Sequence, residues 1–417
     1  MAPKSKSKLN SIKDDNADLF FKDLSEINNS LSNLLRDDDI EEIMINANKN
    51  IFIFSRNQGS KKQSFSLSSE DLEKLVKLII DYCKRDFEKR DFIDGILPDG
   101  SRVNVVIKEL SDDYIITIRK YLQVKLTIID LILTGLLTPN MAAYLWTIVE
   151  GFNIKPVNIF VCGGTGTGKT SLLNIVFNFI DSKERLITIE DTRELDLSNF
   201  ENSVSLVSDI SNPDSLANIT INTLRMRPDR IIIGEVRGKE AQSLFAAMDT
   251  GHDGCMATLH SNNSRDVITK LMSKPMDISE VNINLLDVII ILNKRVINNK
   301  VKRYISQITE VTRIGNINLN DIYSINDNRD ISIMNSSVLE NYTELLGISK
   351  AQLKNVIDYR AQVLQEVCNL QKEGKRYNVN ELKEKIFTNP KYSYKQILNL
   401  NEDKDKWNGE IKYVCKK

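Results

Sequence analysis

Residues 163–170 read Gly-Gly-Thr-Gly-Thr-Gly-Lys-Thr, which fits the phosphate-binding pattern G-x-x-x-x-G-K-[ST] at every position. The apolar run Asn158–Cys162 precedes the loop and predicts a buried parallel strand, and Ser171–Phe179 follows it and predicts a helix. Glycines in such a loop let its backbone N–H groups converge on phosphate oxygens at the start of the helix. The stretch therefore predicts a strand, loop and helix that bind a nucleotide.

Each polar residue of this loop has a predicted role. Lys169 is expected to reach the β- and γ-phosphates of ATP, and the hydroxyl of Thr170 to bind Mg²⁺. A chance glycine-rich turn is the competing interpretation, which the Lys-Thr pair and the flanking elements disfavour. The residues predicted to bind the nucleotide here are Gly163, Gly164, Thr165, Gly166, Thr167, Gly168, Lys169, Thr170 and Ser171.

Length and composition restrict the class of protein. A chain of 417 residues is expected to form about three domains. Its net charge of −1 provides no general attraction for nucleic acid or anionic lipid. The 5 cysteines are scattered without a C-x-x-C pair, which argues against a disulfide framework or a zinc module and fits a reducing cytosol.

The sequence predicts a cytoplasmic protein. No apolar core follows the charged start MAPKSKSKLN, so no signal peptide is expected. The longest apolar region, Leu126–Val149, is interrupted by Asp130 and by Pro139-Asn140, so it is not expected to cross a bilayer as one helix. Contact with a membrane, at its inner face, is therefore expected to go through a partner.

Hydrophobic periodicity predicts the domain organisation. Residues 1–18 are polar and Lys-rich and predict a disordered basic tail. An α+β domain is expected over 19–125, an α/β domain with a parallel sheet over 126–325, and a helical C-terminal extension over 326–417. The predicted elements are strands at Ile51–Phe54, Val103–Ile107, Tyr114–Ile118, Leu186–Ile189 and Arg230–Ile233, and helices at Ser69–Arg85, Lys350–Lys372 and Asn380–Phe387, with two short helices split at Thr138-Pro139.

Two later segments place carboxylates after apolar strands. Ile187–Leu195 contains Glu190 and Asp191, which could orient water or hold Mg²⁺, or could merely cap a strand. Leu224–Gly238 contains Gly234-Glu235, a strand end typical of the Walker B ligand of Mg²⁺ or water. Gly234 stands where many such ATPases have Asp, so Glu235 is expected to act alone. The flanking arginines, which suit phosphate contacts or salt bridges, are Arg225, Arg227, Arg230 and Arg237.

Both histidines of the chain, His252 and His260, lie in the glycine-containing segment Thr250–Lys270. Their concentration here favours a role in sensing the γ-phosphate, because imidazole can relay a hydrogen bond. A structural role and metal binding are the alternatives, and only Asp253 and Cys255 stand nearby as further ligands.

With these motifs in order, residues 31–315 resemble the secretion ATPase superfamily, the motors of type II and type IV secretion, type IV pili and the archaellum. The resemblance is strongest to the tight-adherence pilus and archaeal secretion ATPases. Besides the phosphate loop, it rests on LRDDDIEEIMIN (35–46), LPDGSRVNVVI (97–107), TIRKY (117–121), LTGLLTPNMAAYLW (133–146), ITIEDTREL (187–195), LRMRPDRIIIGEVRG (224–238), the histidine segment and ITEV (308–311).

The resemblance implies a fold and a set of roles. It implies a RecA-like α/β P-loop ATPase domain on which an N-terminal α+β domain closes, in a homohexameric ring. Glu190 matches the acidic-box glutamate, Glu235 the Walker B glutamate, and His252 and His260 the His box. Arg102 and Arg119 match N-terminal-domain arginines that reach nucleotide phosphates. The chain has no tetracysteine zinc insert of the kind found in many type II secretion ATPases, and its C-terminal extension matches relatives only weakly.

The resemblance implies an ATPase that uses ATP and Mg²⁺ and powers filament assembly or secretion through a polytopic membrane platform protein. Glu190, Glu235 and Thr170 are the candidate Mg²⁺ ligands, and which glutamate orients the water stays open. A regulatory module with little turnover is one alternative, which the intact lysine and glutamates disfavour. A nucleic-acid motor is another, and the lack of net positive charge disfavours it.

Overall fold

The computed structural model describes residues 5–47, 50–55, 58–83, 91–120, 126–209, 212, 214–297, 300–312, 317–325, 335–375, 377–382 and 386–387. The chain divides into two compact units. The first contains Met1–Val124 and Arg295–Lys302, and the second contains Lys125–Lys294 and Arg303–Lys417. The domain boundary predicted near residue 125 coincides with this division, whereas the boundary predicted at 326 falls inside the second unit.

The bounds of the elements are as follows. The described strands are β1 (Ile40–Asn46), β2 (Asn50–Ser55), β3 (Gly59–Lys62), β4 (Phe92–Ile96), β5 (Arg102–Val106), β6 (Ile115–Arg119), β7 (Ile159–Gly163), β8 (Leu186–Glu190), β9 (Ser203–Val207), β10 (Arg230–Val236), β11 (Met256–Leu259), β12 (Val288–Ile297), β13 (Lys300–Thr312) and β14 (Asn318–Ser324). The described helices are α1 (Ser5–Ile27), α2 (Asn29–Arg36), α3 (Ser69–Cys83), α4 (Ile128–Leu133), α5 (Pro139–Glu150), α6 (Lys169–Val176), α7 (Ser215–Thr223), α8 (Glu240–Asp249), α9 (Ser264–Met272), α10 (Glu280–Ile283), α11 (Ser337–Leu346), α12 (Lys350–Lys372) and α13 (Val379–Leu382).

The first unit is built on an antiparallel sheet with the order β3-β2-β1-β6-β5-β4. Its strands alternate buried and partly exposed residues, as in β5, because one face packs on a core and the other does not. That core also takes apolar residues of α1, α2 and α3, including Phe20, Leu31 and Leu72. This is the α+β arrangement that the sequence predicts for residues 19–125.

The second unit is built on a mostly parallel sheet with the order β14-β13-β12-β7-β11-β10-β8-β9. Strands β12, β7, β11, β10, β8 and β9 pair in parallel, and β13 pairs with β14 antiparallel. Strand β7 is buried along its whole length, as expected for a parallel strand covered on both faces. The fold is therefore the α/β fold predicted from the sequence.

Alternate residues of the strands feed two cores. Ile159 and Val161 pack into a cluster with α5, α6 and α12, while Phe160 and Cys162 pack into a second cluster with α8 and α9. A period of two along a strand sends neighbouring side chains to opposite faces, so helices cover both faces of the sheet. Pro139 stands at the first position of α5, with Thr138 as its N-cap, which explains the predicted split between α4 and α5.

The C-terminal helices form part of the second core. Arg360 of α12 is fully buried, donates to Thr147 Oγ1 at 3.1 Å, and forms an ion pair with Glu150 of α5. Its guanidinium also lies 4.5 Å from the ring of Trp146, a ring that in turn packs against Phe387. Residues 326–334 and 388–417 of the predicted helical extension lie outside the described residues, and the described helices α11 and α12 contribute apolar residues to the same core as α5.

The N-terminus differs from the expectation. The sequence predicts a disordered tail over residues 1–18, whereas α1 is helical from Ser5. No glycine or proline occurs between Lys4 and Ile27, so no residue of strong helix-breaking character interrupts the segment. Residues 1–4 lie outside the described residues. Within the described part of the chain, no helix has the length and apolar character needed to cross a membrane.

A buried carboxylate attaches α11 to the sheet. Glu310 of β13 is fully buried and accepts from Tyr144 Oη at 2.9 Å, from Ser336 Oγ, and from the N–H and hydroxyl of Ser337 at 2.7 and 2.8 Å. The N–H of Val338 adds a fifth bond at 3.2 Å. One side chain therefore satisfies the first N–H groups of α11 and links three parts of the second unit.

We expect Glu310→Gln to lower the free energy of unfolding by about 2–4 kcal/mol, because one accepting oxygen becomes a donor that faces other donors. Urea unfolding followed by circular dichroism measures the change. The matched control is Glu340→Gln, whose carboxylate forms a half-exposed pair with Lys350, and it should cost at most about 1 kcal/mol. Equal effects of the two substitutions would contradict a special role for Glu310.

Candidate functional site

The phosphate loop connects β7 to α6, and several of its positions have a backbone conformation or a close neighbour that only glycine tolerates. A Cβ on Gly163 would lie 2.5 Å from the carbonyl oxygen of Leu292, and Gly166 and Gly168 have φ of +70° and +92°. Side chains disfavour such conformations, so these positions need glycine. Lys169 begins α6, so the N–H groups at the start of this helix face the loop, which is the predicted geometry for binding phosphate.

Three further strands end next to this loop. In the sheet order β7-β11-β10-β8, the carboxyl ends of the parallel strands lie at one edge. His260 follows β11 directly, Glu235 is the next-to-last residue of β10, and Glu190 is the last residue of β8. The sheet therefore brings together residues that are up to 91 positions apart, the separation of Lys169 and His260.

A connected chain of polar contacts runs across this edge. Lys169 Nζ donates to the Gly164 carbonyl oxygen at 3.2 Å and lies 3.4 Å from both ring nitrogens of His260. His260 Nε2 lies 3.0 Å from Glu235 Oε1. Glu235 Oε2 accepts from Arg237 Nη2 at 2.7 Å, and Arg237 Nη1 donates to Asp191 Oδ2 at 3.1 Å.

The same contacts set the charge states. Burial alone would raise the pKa of Glu235, but the hydrogen bond and charge of Arg237, with the charges of His260 and Lys169, hold the pKa below its usual range. The pKa of His260 is lowered by burial and by the nearby Lys169 cation, although Glu235 acts in the opposite direction. At neutral pH the site therefore contains an ionised Glu235 and a neutral imidazole.

Glu190 is held differently from Glu235. It is 2% exposed, and its Oε1 accepts from the backbone N–H groups of Glu194 at 2.8 Å and Leu195 at 3.0 Å. A Cβ on Gly234 would lie 3.0 Å from Glu190 Cγ, so glycine leaves the space that this side chain fills. Strand β8 therefore supplies a second carboxylate beside Gly234, and whether Glu235 acts alone stays a prediction.

Some predicted residues lie away from this cluster. His252 precedes β11, whereas His260 follows it, so the two histidines lie toward opposite ends of this strand. His252 Nδ1 instead lies 3.2 Å from the Ala247 carbonyl oxygen. Arg225 precedes β10 and is exposed at the opposite edge from Glu235. A role for His252 and Arg225 in the nucleotide site stays a prediction.

Arg230 has a structural partner. It begins β10, is buried, and forms an ion pair with Glu184, with Nε 2.5 Å from Oε2 and Nη2 3.0 Å from Oε1. A Cβ on Gly254 would lie 1.8 Å from Arg230 Nη1, so the guanidinium is packed tightly. The salt-bridge interpretation is correct for this arginine. Arg237, by contrast, lies within the cluster.

Arg102 and Arg119 face each other across two strands of the first unit. They are register partners at the ends of β5 and β6. Arg119 is exposed and Arg102 is partly buried. The sheet therefore brings the pair together, as a common role requires, while their contact with phosphate stays a prediction.

Several side-chain contacts near the loop could not be predicted from the sequence. Thr258 Oγ1 donates to the Gly234 carbonyl oxygen at 2.6 Å, which fixes the end of β10 to β11. Asp191, which the sequence offers as a candidate beside Glu190, accepts from Arg237 and, at 2.7 Å, from Ser208 Oγ, two partners that the sequence does not indicate. Lys294 and Arg303 also reach the loop. Lys294 follows the apolar part of the parallel strand β12, which could have indicated a position near the loop. No comparable feature of the sequence indicated Arg303.

The residues present fit a nucleotide with Mg²⁺. The loop offers N–H groups and the buried Lys169 to phosphates, and Thr170, Glu190 and Glu235 are the nearby oxygen donors. No group of three or more His, Cys, Asp or Glu that could hold a metal occurs among the described residues. Mg²⁺ suits this arrangement, because it commonly takes one or two protein oxygens together with substrate phosphates and water.

Comparisons with known proteins agree with this geometry. The model of the family described as "Type II/IV secretion system protein" matches residues 26–384. An uncharacterised protein of Methanocaldococcus jannaschii is 42% identical over 233 residues, which is 54% of this chain. The probable conjugal transfer protein TrbB of Sinorhizobium fredii is 30% identical over 242 residues, and this match covers 57% of this chain and 72% of TrbB. The match spans only 32% of the M. jannaschii protein's own length.

The fold is also found in a solved structure. The X-ray structure of the Yersinia pseudotuberculosis ATPase DotB aligns with a TM-score of 0.50 at 17% identity, over 86% of this chain and 92% of that one. At this identity the likeness concerns the fold alone.

The charge states of the cluster can be measured directly, because the chain has only two histidines. In an NMR titration, with His252→Gln to assign the signals, we expect the pKa of His260 below 6.5. Lys169→Ala should raise this pKa by removing a neighbouring cation, and Glu235→Gln should lower it further by removing an anion. A pKa of His260 above 6.5, or shifts of the opposite sign, would contradict the contacts described.

Proposed function

Because this chain belongs to the family of type II/IV secretion system proteins, we propose that it hydrolyses ATP to ADP and phosphate and uses the energy to drive secretion or the assembly of a pilus-like filament. The observation that supports this most strongly is the connected series Lys169, His260 and Glu235 beside the phosphate loop. These groups meet only because three parallel strands end together. Their chemistry is that of phosphoryl transfer, which depends on positioning and charge neutralisation.

The proposed reaction assigns a task to each group. The loop N–H groups and Lys169 bind the β- and γ-phosphates and stabilise the charge that develops on them. Thr170 with a glutamate would hold Mg²⁺, which would supply positive charge to neutralise the phosphates. The neutral imidazole of His260 contacts both Lys169 and Glu235, which supports the proposal that it relays the presence of the γ-phosphate between them.

The two glutamates suit different tasks. Glu190 is buried and fixed by two backbone N–H groups, which favours a supporting role toward Mg²⁺ through water. Glu235 is held by the side chains of Arg237 and His260, which can rearrange. We therefore infer that Glu235 orients the attacking water, after Arg237 has released one of its oxygens.

The proposed activity also involves other subunits and a membrane partner. We propose a homohexamer that acts at the inner face of the membrane on a polytopic platform protein. In a ring, arginines that lie outside their own site, such as the exposed Arg225, can serve a neighbouring subunit. Arg102 and Arg119 would reach phosphate when the N-terminal domain closes, which would couple hydrolysis to movement.

We expect Glu235→Gln to keep ATP binding but to lower the turnover of ATP hydrolysis by roughly 100-fold or more, because the amide cannot orient water as a base. Phosphate release and equilibrium binding of ATP with Mg²⁺ measure the two effects. Glu190→Gln should lower turnover less. The control is Glu201→Gln, which removes an exposed carboxylate of the same unit. Normal hydrolysis by both Glu235→Gln and Glu190→Gln would refute the mechanism.

For domain closure, we expect Arg119→Ala to lower turnover far more than ATP affinity, by up to roughly 10³-fold, as for an arginine finger. Lys61→Ala, which removes an exposed cation from the same sheet, is the matched control and should behave as the parent. Unchanged turnover together with a slightly lower melting temperature would instead indicate that Arg119 makes only a surface ion pair, worth at most about 1 kcal/mol.

A further inference from the structure

Two cations from strands β12 and β13 reach the phosphate loop. Arg303 donates its Nε hydrogen to the carbonyl oxygen of Gly166 at 3.0 Å. Its side chain also passes Gly168, where a Cβ would lie 3.7 Å from Arg303 Cδ. Lys294 brings its Nζ to 3.0 Å from the position of a Cβ on Gly166. Both side chains therefore reach the part of the loop around Gly166.

The bond to Gly166 controls the direction of an N–H group. The peptide group between Gly166 and Thr167 is planar and trans, so its C=O and N–H point in opposite directions. A donor that holds the carbonyl on one side therefore directs the Thr167 N–H to the other side. Glycine on its own would allow this peptide group to rotate, because it populates positive and negative φ almost equally.

Two other contacts hold a different carbonyl group of the loop. Thr167 Oγ1 donates to the Gly164 carbonyl oxygen at 2.8 Å, and Lys169 Nζ contacts the same oxygen at 3.2 Å. Both bonds end on Gly164. The Arg303 bond ends on Gly166, and a hydrogen bond from a guanidinium is roughly twice as strong as one between neutral groups.

We propose that Arg303 is a positioning residue of the nucleotide site, which sets the Gly166–Thr167 peptide group so that its N–H faces the β-phosphate. We further propose that Lys294 adds positive charge beside the same phosphate. The inference rests on the proposed function, since it assumes that the loop takes ATP. It extends the site to strands that carry none of the Walker motifs or histidines.

The test compares nucleotides that differ in the β-phosphate. The affinities of the full chain for ATP, ADP and AMP, each with Mg²⁺, are measured by calorimetry together with the melting temperature. Arg303→Ala should weaken ATP and ADP binding roughly tenfold and leave AMP binding unchanged, because AMP lacks the β-phosphate that the Thr167 N–H is proposed to face. Lys294→Met should weaken ADP binding severalfold and reduce its dependence on salt.

Lys302→Ala is the matched control. It removes an equal charge one position before Arg303, and successive side chains of a strand point to opposite faces. Its affinities should equal those of the parent. Should Arg303→Ala fail to fold, Arg303→Lys decides by the same ratio of ADP to AMP affinity. The lysine keeps the charge and loses the fixed Nε donor, so the ratio should still fall.

The outcomes separate the two proposals. If the parent binds ATP and the Arg303 variants keep its ratio of ADP to AMP affinity, the inference is overturned and the proposed function stands. Equal losses for ADP and AMP with a lower melting temperature would also overturn it, since they indicate a structural role alone. A parent chain that binds no ATP would refute the proposed function itself.

Discussion

The edge of the sheet proposed to bind the nucleotide depends on two glycines, because a side chain at either position would collide with a neighbouring strand. Gly163 lies against the Leu292 carbonyl of β12, and Gly234 leaves the space that Glu190 occupies. Strand β7 pairs in parallel with both β11 and β12, so these close approaches also fix where each strand ends. The polar side chains that follow the strands then meet without any proximity in sequence. A larger residue at either glycine would disturb the alignment of several functional groups together.

Local signals predicted the elements that carry the site. The strands near Ile159, Leu186 and Arg230 are continuous apolar runs, and each of them is followed by a predicted loop or site residue. Such runs are typical of parallel strands, and their carboxyl ends bind ligands. Proline and capping residues likewise predicted the split between α4 and α5. The phosphate loop, Glu190, Glu235 and His260 could therefore be placed from the sequence.

Long-range contacts could not be predicted in this way. Nothing local to Arg303 indicates that β13 passes the phosphate loop, or that Arg230 is enclosed by Glu184 and Gly254. The two histidines share one segment, yet a short strand between them sends them to opposite edges. Spacing along a chain predicts which residues lie close together only within one helix or strand. Which residues of different elements meet depends on the order of the strands in the sheet. The partners of the two glutamates also could not be predicted. Backbone N–H groups hold Glu190, whereas the side chains of Arg237 and His260 hold Glu235.

The contacts between α5 and α12 affect the order in which the core of the second unit forms during synthesis. Arg360 and Thr147, which share a hydrogen bond, are 213 positions apart in the chain. Contacts of such separation form late, because a long loop must close before they give any stabilisation. During synthesis, Trp146 and its neighbours on α5 leave the ribosome long before the helix that covers them. The half-finished protein therefore carries an uncovered apolar surface next to a phosphate loop that is already complete in sequence. A chaperone that binds apolar segments would find its substrate in this interval, before the nucleotide site acquires its final support.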